Sequence, residues 1–308
     1  MKKLKVQKID TLTGHRDCVY SLEKGIDENH FFSSGGDGLV VIWNLKKPEI
    51  GKLVAQVPRS VYALHSLPQY NALIIGQNME GLHWIDLTQM REKKTLKTTQ
   101  NAIFDLKHFQ DLLFTANADG SVQIIDIESW RIQHTFLNSM LSARCLALQF
   151  QMKHLAVGYS DYRIRIFDIE ARKLLYEWQA HKNSVFSLFY SPCGKYLISG
   201  SRDAHLKVWS VENAYELLID IPAHLFAINH IVGSPCGRYF ATGSMDKTIK
   251  IWDSQTFRLL KVLDKARYAG HSTSINKLLW HQPTQWLLSG SDDRTIGIWQ
   301  IEEENYTQ

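Results

Sequence analysis

A histidine, a serine or threonine and an aspartate recur together at four places in this chain, each time with a tryptophan. A hydroxyl, an imidazole and a carboxylate are the groups that acyl-transfer enzymes use as nucleophile, base and orienting acid. The four sets are His15, Ser33, Asp37 and Trp43; His181, Ser199, Asp203 and Trp209; His224, Thr242, Asp246 and Trp252; and His271, Ser289, Asp293 and Trp299. A catalytic site is needed once, whereas a hydrogen-bond chain that satisfies buried polar groups is useful in every repeat. We therefore predict that these residues are structural and that the chain is not an enzyme.

The four sets belong to a pattern that recurs seven times: a turn of small residues, usually an Asp, and an alternating strand that ends in a large apolar residue. The seven copies end at Trp43, Ile85, Ile125, Phe167, Trp209, Trp252 and Trp299. A period of about 40 to 45 residues with several strands per unit is typical of a propeller blade. The sequence thus predicts an all-β fold, a seven-bladed β-propeller of four-stranded antiparallel blades, in a single domain over residues 1–308.

The ends of the chain predict how the ring closes. The seventh unit stops just after a third strand, at Trp299-Gln300-Ile301, and so lacks one strand. Residues 4–12, before the first unit, have the length and the alternation of that missing outer strand. We expect residues 4–12 to complete blade seven, because closure removes the open edges of the sheets.

Composition limits the other possibilities. Hydrophobic residues make up 44% and charged residues 21% of the chain, and no apolar run reaches the length of a membrane span. The basic start lacks the apolar segment of a signal peptide, so a cytoplasmic location is expected. The four cysteines form no CxxC pair, and no zinc, calcium or phosphate-loop spacing is present, so neither a metal nor a cofactor is expected.

The motifs resemble those of the WD-repeat (WD40) β-propeller family. Its Gly-His dipeptide stands at Gly14-His15 and Gly270-His271, and its Trp-Asp dipeptide at Trp252-Asp253. The resemblance covers the whole chain and implies that the His, Ser or Thr, Asp and Trp side chains link strands within one blade. It also implies that partners bind around the central channel, on the face where the loops that carry His and Asp emerge, here called the loop face. Blades two, three and four lack the His, so we expect their packing to depend more on apolar contacts.

Two features predict a binding site on the loop face. Seven residues align at one position of the inner strand: Tyr20, Tyr62, Phe104, Leu146, Phe186, Asn229 and Asn276. The loops of this face also carry basic residues, namely Arg16, Arg59, Arg144, Lys182, Arg202, Lys247 and Arg294, and four extra residues, Lys265 to Tyr268, lengthen one loop. The aromatic residues either bind a partner or pack between blades, and the basic residues either attract an acidic partner or form a solvated rim. We select as partner-binding Tyr20, Tyr62, Phe104, Arg144, Phe186, Arg202, Arg267 and Tyr268.

Three functions are compatible with this sequence. The first is a non-catalytic scaffold, monomeric by itself, that binds a protein or peptide, with an acidic partner favoured by the basic loops. The second is a nucleic-acid-associated protein or a complex subunit that uses the basic rim. The third is an enzyme that uses the channel mouth, for which the aligned aromatic and amide residues give little support. Fold alone does not choose among them.

Overall fold

A computed structural model describes residues 4–303, and these residues form seven four-stranded antiparallel sheets arranged as the blades of a propeller. In blades 1 to 3 the strands are β2 Val19–Lys24, β3 His30–Gly35, β4 Leu39–Asn44 and β5 Lys47–Gln56; β6 Val61–Leu67, β7 Ala72–Gln77, β8 Gly81–Asp86 and β9 Arg91–Leu96; and β10 Ile103–Phe109, β11 Leu112–Asn117, β12 Val122–Asp126 and β13 Arg131–Phe136. In blades 4 and 5 they are β14 Ala143–Gln149, β15 His154–Tyr159, β16 Arg163–Asp168 and β17 Lys173–Gln179; and β18 Val185–Tyr190, β19 Tyr196–Ser201, β20 His205–Ser210 and β21 Glu216–Pro222. In blades 6 and 7 they are β22 Ile228–Gly233, β23 Tyr239–Ser244, β24 Ile249–Asp253 and β25 Leu259–Leu263; and β26 Ile275–Trp280, β27 Leu287–Ser291, β28 Ile296–Glu303 and β1 Leu4–Leu12.

In blades 1 to 6 the strands run from the channel to the periphery in chain order, and in blade 7 the outer strand is β1. The second strands are almost entirely buried, whereas outer strands such as β21 are mostly exposed. This gradient of burial follows from the sequence. The second strands consist mainly of apolar and small residues, whereas the outer strands carry charged and polar residues among the apolar ones. The described residues contain two helical segments, both one-turn elements: a 3₁₀ turn at Pro68–Tyr70 and a helix, α1, at Lys265–Tyr268. Among residues 4–303, no helix has the length and hydropathy needed to cross a membrane.

The ring closes as the sequence predicts. Strand β1 pairs antiparallel with β28 and becomes the outer strand of blade 7, with Leu4 opposite Glu303 and Leu12 opposite Ile296. Leu4 is buried in a cluster with Trp299, and Leu12 is buried with Val19 of blade 1. The first described strand therefore contributes both a hydrogen-bonded ladder and apolar contacts to the closure.

Neighbouring blades pack closely because the second strand of each blade carries a small residue at one fixed position. The seven residues at this position are Ser34, Gly76, Ala116, Gly158, Gly200, Gly243 and Gly290. A Cβ atom on Gly243 would lie 2.8 Å from Cγ2 of Ile275 in the next blade, and glycines of four other blades meet a Val or Ile in the same way. Where Ala116 replaces the glycine, the facing residue is the smaller Ala143, and both belong to one buried cluster. Blade packing thus requires a small residue at this position of the second strand, which is the glycine of the repeated Ser-Gly-Ser or Thr-Gly-Ser sequence in blades 5 to 7.

Candidate functional site

The His, Ser or Thr, Asp and Trp sets form continuous hydrogen-bond chains inside their blades. In blade 1, His15 Nδ1 lies 3.0 Å from Asp37 Oδ2, His15 Nε2 lies 2.7 Å from Ser33 Oγ, and Trp43 Nε1 donates to the same Oγ at 2.7 Å. In blades 5, 6 and 7 the closest corresponding distances lie between 2.7 and 3.1 Å. The serine and threonine hydroxyls are fully buried, so they do not face a space where a substrate could bind.

The aspartates of these sets also join the loops to the sheet. Asp203 accepts hydrogen bonds from the backbone N–H groups of Lys182 and His205, in addition to its contact with His181. Burial alone would raise the pKa of Asp203, but these hydrogen bonds and the imidazole lower it below its ordinary value. Burial lowers the pKa of His181 in turn, although Asp203 opposes that shift. The set therefore needs an ionised aspartate to hold its loop.

Blades 3 and 4 replace the missing histidine with other polar contacts, which differs from the expectation of mainly apolar packing. In blade 3, Thr99 Oγ1 donates to Asp119 at 2.8 Å. In blade 4, the buried Arg165 donates from Nη1 to Asp161 Oδ2 at 2.8 Å and from Nε to Glu177 Oε2 at 3.0 Å. The aspartate of the turn is retained in both blades, and a different donor reaches it, so the loop is still held by a charge-assisted hydrogen bond.

A ring of side chains surrounds the channel mouth on the loop face, and a β-bulge places each of them. In every inner strand the pairing register shifts at one residue, which lies just after the first paired residue of the strand. These residues are Tyr20, Tyr62, Phe104, Arg144, Phe186, Asn229 and Asn276, here called the collar. A bulge re-aims a side chain, and here it does so at equivalent points of all seven blades.

The structure corrects the sequence alignment at blade 4, where Leu146 was expected in the ring. Leu146 is only 1% exposed and belongs to the core between blades, and Arg144 occupies the collar position. The error arose because the first two strands of blade 3 are joined by two residues, Gln110 and Asp111, whereas blades 2 and 4 use four. Adding the constant step of the repeat to Phe104 therefore reaches Leu146, two residues beyond the collar residue Arg144.

The collar residues contact one another. The rings of Tyr20 and Tyr62 are 4.8 Å apart, and those of Tyr62 and Phe104 are 5.7 Å apart. The guanidinium of Arg144 lies over the ring of Phe104 at 4.4 Å and near that of Phe186 at 5.7 Å. All five are partly exposed, so their rings pack on each other and still present a surface at the mouth.

The two asparagines complete the ring through hydrogen bonds. Asn229 Nδ2 donates to Ser274 Oγ at 3.0 Å, and Asn276 Nδ2 donates to the carbonyl of Val19 at 3.1 Å. These contacts join blade 6 to blade 7 and blade 7 to blade 1. The collar is consequently aromatic and cationic on blades 1 to 5 and polar on blades 6 and 7.

Below the collar a channel with a cavity volume of about 700 Å³ runs between the inner strands. Its wall includes the collar and ionisable side chains such as Asp105, Lys107 and Lys277. The sequence reading did not identify these deeper residues, although they recur at fixed steps after the collar positions. In the described part of the chain, no group of three or more His, Cys, Asp or Glu is arranged to hold a metal ion.

The other predicted partner-binding residues lie in different places. Arg202 is exposed, and its charge lies near enough to Arg144 to lower the pKa of that guanidinium, which burial lowers more. Arg267 is paired with Asp264 on α1, and Tyr268 packs against the core of blades 6 and 7. Neither Arg267 nor Tyr268 lines the channel. Arg202 does not line the channel either, and its charge reaches the collar only through its influence on Arg144, whereas α1 is separate from the collar.

The loop face also exposes apolar residues that the sequence reading overlooked. Met140 is 92% and Leu141 is 54% exposed in the connection before blade 4. In blade 6, Leu225 is 83% and Phe226 is 60% exposed, and Met245 is exposed in the adjacent turn. Single exposed apolar residues are common, but these lie on one face, in loops that flank the channel mouth. Their loop positions could have been read from the repeat, since they occupy fixed places in its recurring turns.

Comparison with known proteins gives consistent matches. The family described as "WD domain, G-beta repeat" matches residues 6–44, 172–210, 215–253 and 263–300, and the "Anaphase-promoting complex subunit 4 WD40 domain" matches residues 110–190. Human Striatin-3 is 24% identical over 204 residues, which cover 66% of this chain and 22% of that protein. The p21-activated protein kinase-interacting protein 1-like of Danio rerio is 27% identical over 201 residues, which cover 64% of this chain and 54% of the relative.

A solved structure has the same fold. The WD40 β-propeller domain of Doa1 superimposes with a TM-score of 0.85 over 96% of this chain and 97% of that one, at 18% identity. Identity at this level is evidence for fold alone. The chain spans about half or less of the length of the two curated relatives described above.

Proposed function

This chain belongs to the WD40-repeat family, and we propose that it is a non-catalytic scaffold that binds a protein or peptide partner on its loop face, across the channel mouth. The observation that carries the proposal is the collar. Five large side chains in mutual contact, four aromatic and one arginine, stand partly exposed at the entrance of a cavity. Aromatic residues and arginine dominate the binding energy of protein interfaces because they bring large contact area at low entropic cost.

The surroundings of the collar favour a protein partner over a nucleic acid. Residues such as Met140, Leu225 and Phe226 are exposed in loops that flank the mouth. Apolar side chains at these positions suit an interface with an apolar centre, whereas a phosphate backbone calls for lysine and arginine there. Arg144 and Arg202 add positive charge to one side, so a segment with both apolar and acidic residues fits best.

The His, Ser and Asp sets support the non-catalytic part of the proposal. Each serine or threonine hydroxyl accepts a tryptophan N–H, contacts a histidine and is fully buried, as at Ser199. A nucleophile must reach its substrate, and these hydroxyls face the interior of a blade. Family membership and the name of one relative, a kinase-interacting protein, support a role in protein binding.

Affinity capture with matched variants tests the proposal. Wild-type protein and a Tyr62→Ala/Phe186→Ala variant are each used to capture material from native cell extract, with and without nuclease, and bound protein and nucleic acid are both measured. We expect one or more proteins to be retained by the wild type after nuclease and lost with the variant. The basic-rim alternative would instead be supported if wild type and variant captured equal amounts of nucleic acid, and if nuclease abolished that capture.

A further inference from the structure

The residue that follows each collar residue forms a second ring, deeper in the channel. Its members are Ser21, Ala63, Asp105, Cys145, Ser187, His230 and Lys277. In three blades this side chain accepts a backbone N–H from the next blade: Asp105 from Leu146 at 2.9 Å, Ser187 from Ile231 at 2.8 Å and His230 from Leu278 at 3.3 Å. The inner strand has no ladder partner on its channel side, so this position favours a hydrogen-bond acceptor.

Lys277 cannot accept this hydrogen bond, because an ammonium group only donates, and Ala63 and Cys145 also do not accept it. Within residues 4–303, no carboxylate lies within 4.0 Å of Lys277 Nζ, and two carboxylates beside the channel are already engaged. Asp105 contacts Lys107 at 3.6 Å, and Glu23 accepts from Ser66 Oγ at 3.1 Å. Burial lowers the pKa of Lys277, and the charge of Lys107 lowers it further, although Asp105 and Glu23 oppose this. A partly desolvated cation without a close counter-charge is stabilised by a bound anion.

The neighbours of Lys277 supply further donors at the same depth. His230 Nδ1 accepts the N–H of Leu278, so the proton of the neutral imidazole is on Nε2. Burial, with the charges of Lys277 and Lys107, holds the pKa of His230 well below its usual value and keeps the ring neutral. Ser187 Oγ accepts from Ile231, which leaves the hydroxyl proton to donate elsewhere. All three residues line the cavity.

We propose that Ser187, His230 and Lys277, on three consecutive blades, form a binding site for an oxyanion in the channel wall. The hydroxyl, the imidazole Nε2–H and the ammonium group occupy equivalent positions of adjacent inner strands and donate toward one ligand. The ligand is a carboxylate or a phosphate group, which is either free in solution or carried on an acidic side chain that enters the channel. For a free anion the site is independent of the proposed function, because such a ligand needs no bound partner to reach it, whereas an acidic side chain in the channel rests on that function.

Calorimetric titration of the whole protein with two probes tests the site. The first probe is inorganic phosphate, and the second is N-acetylglutamate N-methylamide, which presents a carboxylate as a peptide does. Titrations are made at constant ionic strength on wild type, Lys277→Met, His230→Gln and the control Lys24→Met. Lys24 also lines the channel, so its substitution removes the same charge without touching the three donors. Melting temperatures confirm that each variant is folded.

We expect at least one probe to bind the wild type in the millimolar range or tighter, and Lys277→Met to weaken binding by about tenfold or more. His230→Gln keeps both an acceptor for Leu278 and a donor, so binding should stay within about threefold of wild type, as it should for Lys24→Met. Binding of the phosphate probe alone would identify a phosphate group as the ligand, and binding of the carboxylate probe alone would identify a carboxylate such as that of an acidic side chain. The proposal is overturned if neither probe binds, or if Lys24→Met weakens binding as much as Lys277→Met does.

Discussion

At the scale of single residues, the partly buried aspartate of each His, Ser or Thr, Asp and Trp set is the clearest target for substitution. Asp203→Ala removes the acceptor of the buried His181 imidazole and of two backbone N–H groups, those of the exposed Lys182 and the half-buried His205. We expect the free energy of unfolding to fall by about 1–3 kcal/mol. Urea denaturation measures this change, and the exposed Glu212→Ala in the same blade is a control that should have little effect.

The same variant separates a structural role from a catalytic one. If Asp203→Ala were as stable as the wild type but abolished a hydrolase activity of the protein, the set in blade 5 would be catalytic. If the set is structural, Asp203→Ala lowers the free energy of unfolding, and the wild type has no hydrolase activity that the substitution could abolish.

At the scale of the element, the small residue in each second strand controls how closely two blades approach. Gly243→Ala brings a methyl group against Ile275 and Leu278, and we expect a loss of about 1–3 kcal/mol from overpacking. Ile275→Ala alone should cost about 2–5 kcal/mol through the cavity it leaves. The double variant reproduces the natural Ala116 and Ala143 pair of blades 3 and 4, so its loss should be smaller than the sum of the two single losses.

A double-mutant cycle by denaturant unfolding provides the measurement. Strict additivity of the two substitutions would contradict direct packing of this position against the next blade, because residues in contact couple and independent sites add.

The same scale shows how far the sequence predicts this structure. The period of the repeat and the alternation of apolar residues gave the blades and the pairing of β1 with β28, because register and burial follow from local pattern. The collar residue of blade 4 was misplaced, because the short hairpin at Gln110 and Asp111 shifts the frame by two residues. The polar links of Arg165 to Asp161 and Glu177 could not be read from the motif, since they depend on side chains that meet only in three dimensions.

At the scale of the whole molecule, stability depends on closure of the ring by β1. Deletion of residues 1–12 would leave the outer edge of β28 unpaired and would remove the buried side chains of Leu4 and Leu12. Burial of two leucines alone contributes about 3–6 kcal/mol, and the lost ladder adds to that. We expect a large drop in melting temperature, and substitution of the exposed Lys5 and Gln7 by Ala in the full chain serves as the control. An unchanged melting temperature of the deletion variant would contradict the closure.

Stability should also fall as the pH is lowered, first through the buried histidines and then through the aspartates of the sets. Burial lowers the pKa of His181 and His224, so below the ordinary value of 6.5 the unfolded chain binds protons that the folded chain does not. The pKa values of Asp203, Asp246 and Asp293 are also lowered, so a second loss begins as the pH falls below 3.8. We expect the free energy of unfolding to decline from pH 7 to pH 5 by up to about 1.4 kcal/mol per pH unit for each such histidine. Urea denaturation at several pH values checks this, and a flat profile from pH 8 to pH 5 would contradict it.

The central claim is that a partner binds at the collar. Its most direct test compares the binding kinetics of a captured partner for two variants, one on each face of the propeller. Phe186→Ala removes a collar ring at the loop face, and Phe150→Ala removes an exposed ring between β14 and β15, at the opposite end of the same channel. The account predicts that Phe186→Ala accelerates dissociation by about tenfold or more, with a small effect on association, and that Phe150→Ala leaves both rates nearly unchanged. Unchanged kinetics with Phe186→Ala together with weakened binding by Phe150→Ala would show that the partner binds the opposite face and that the collar is not the site.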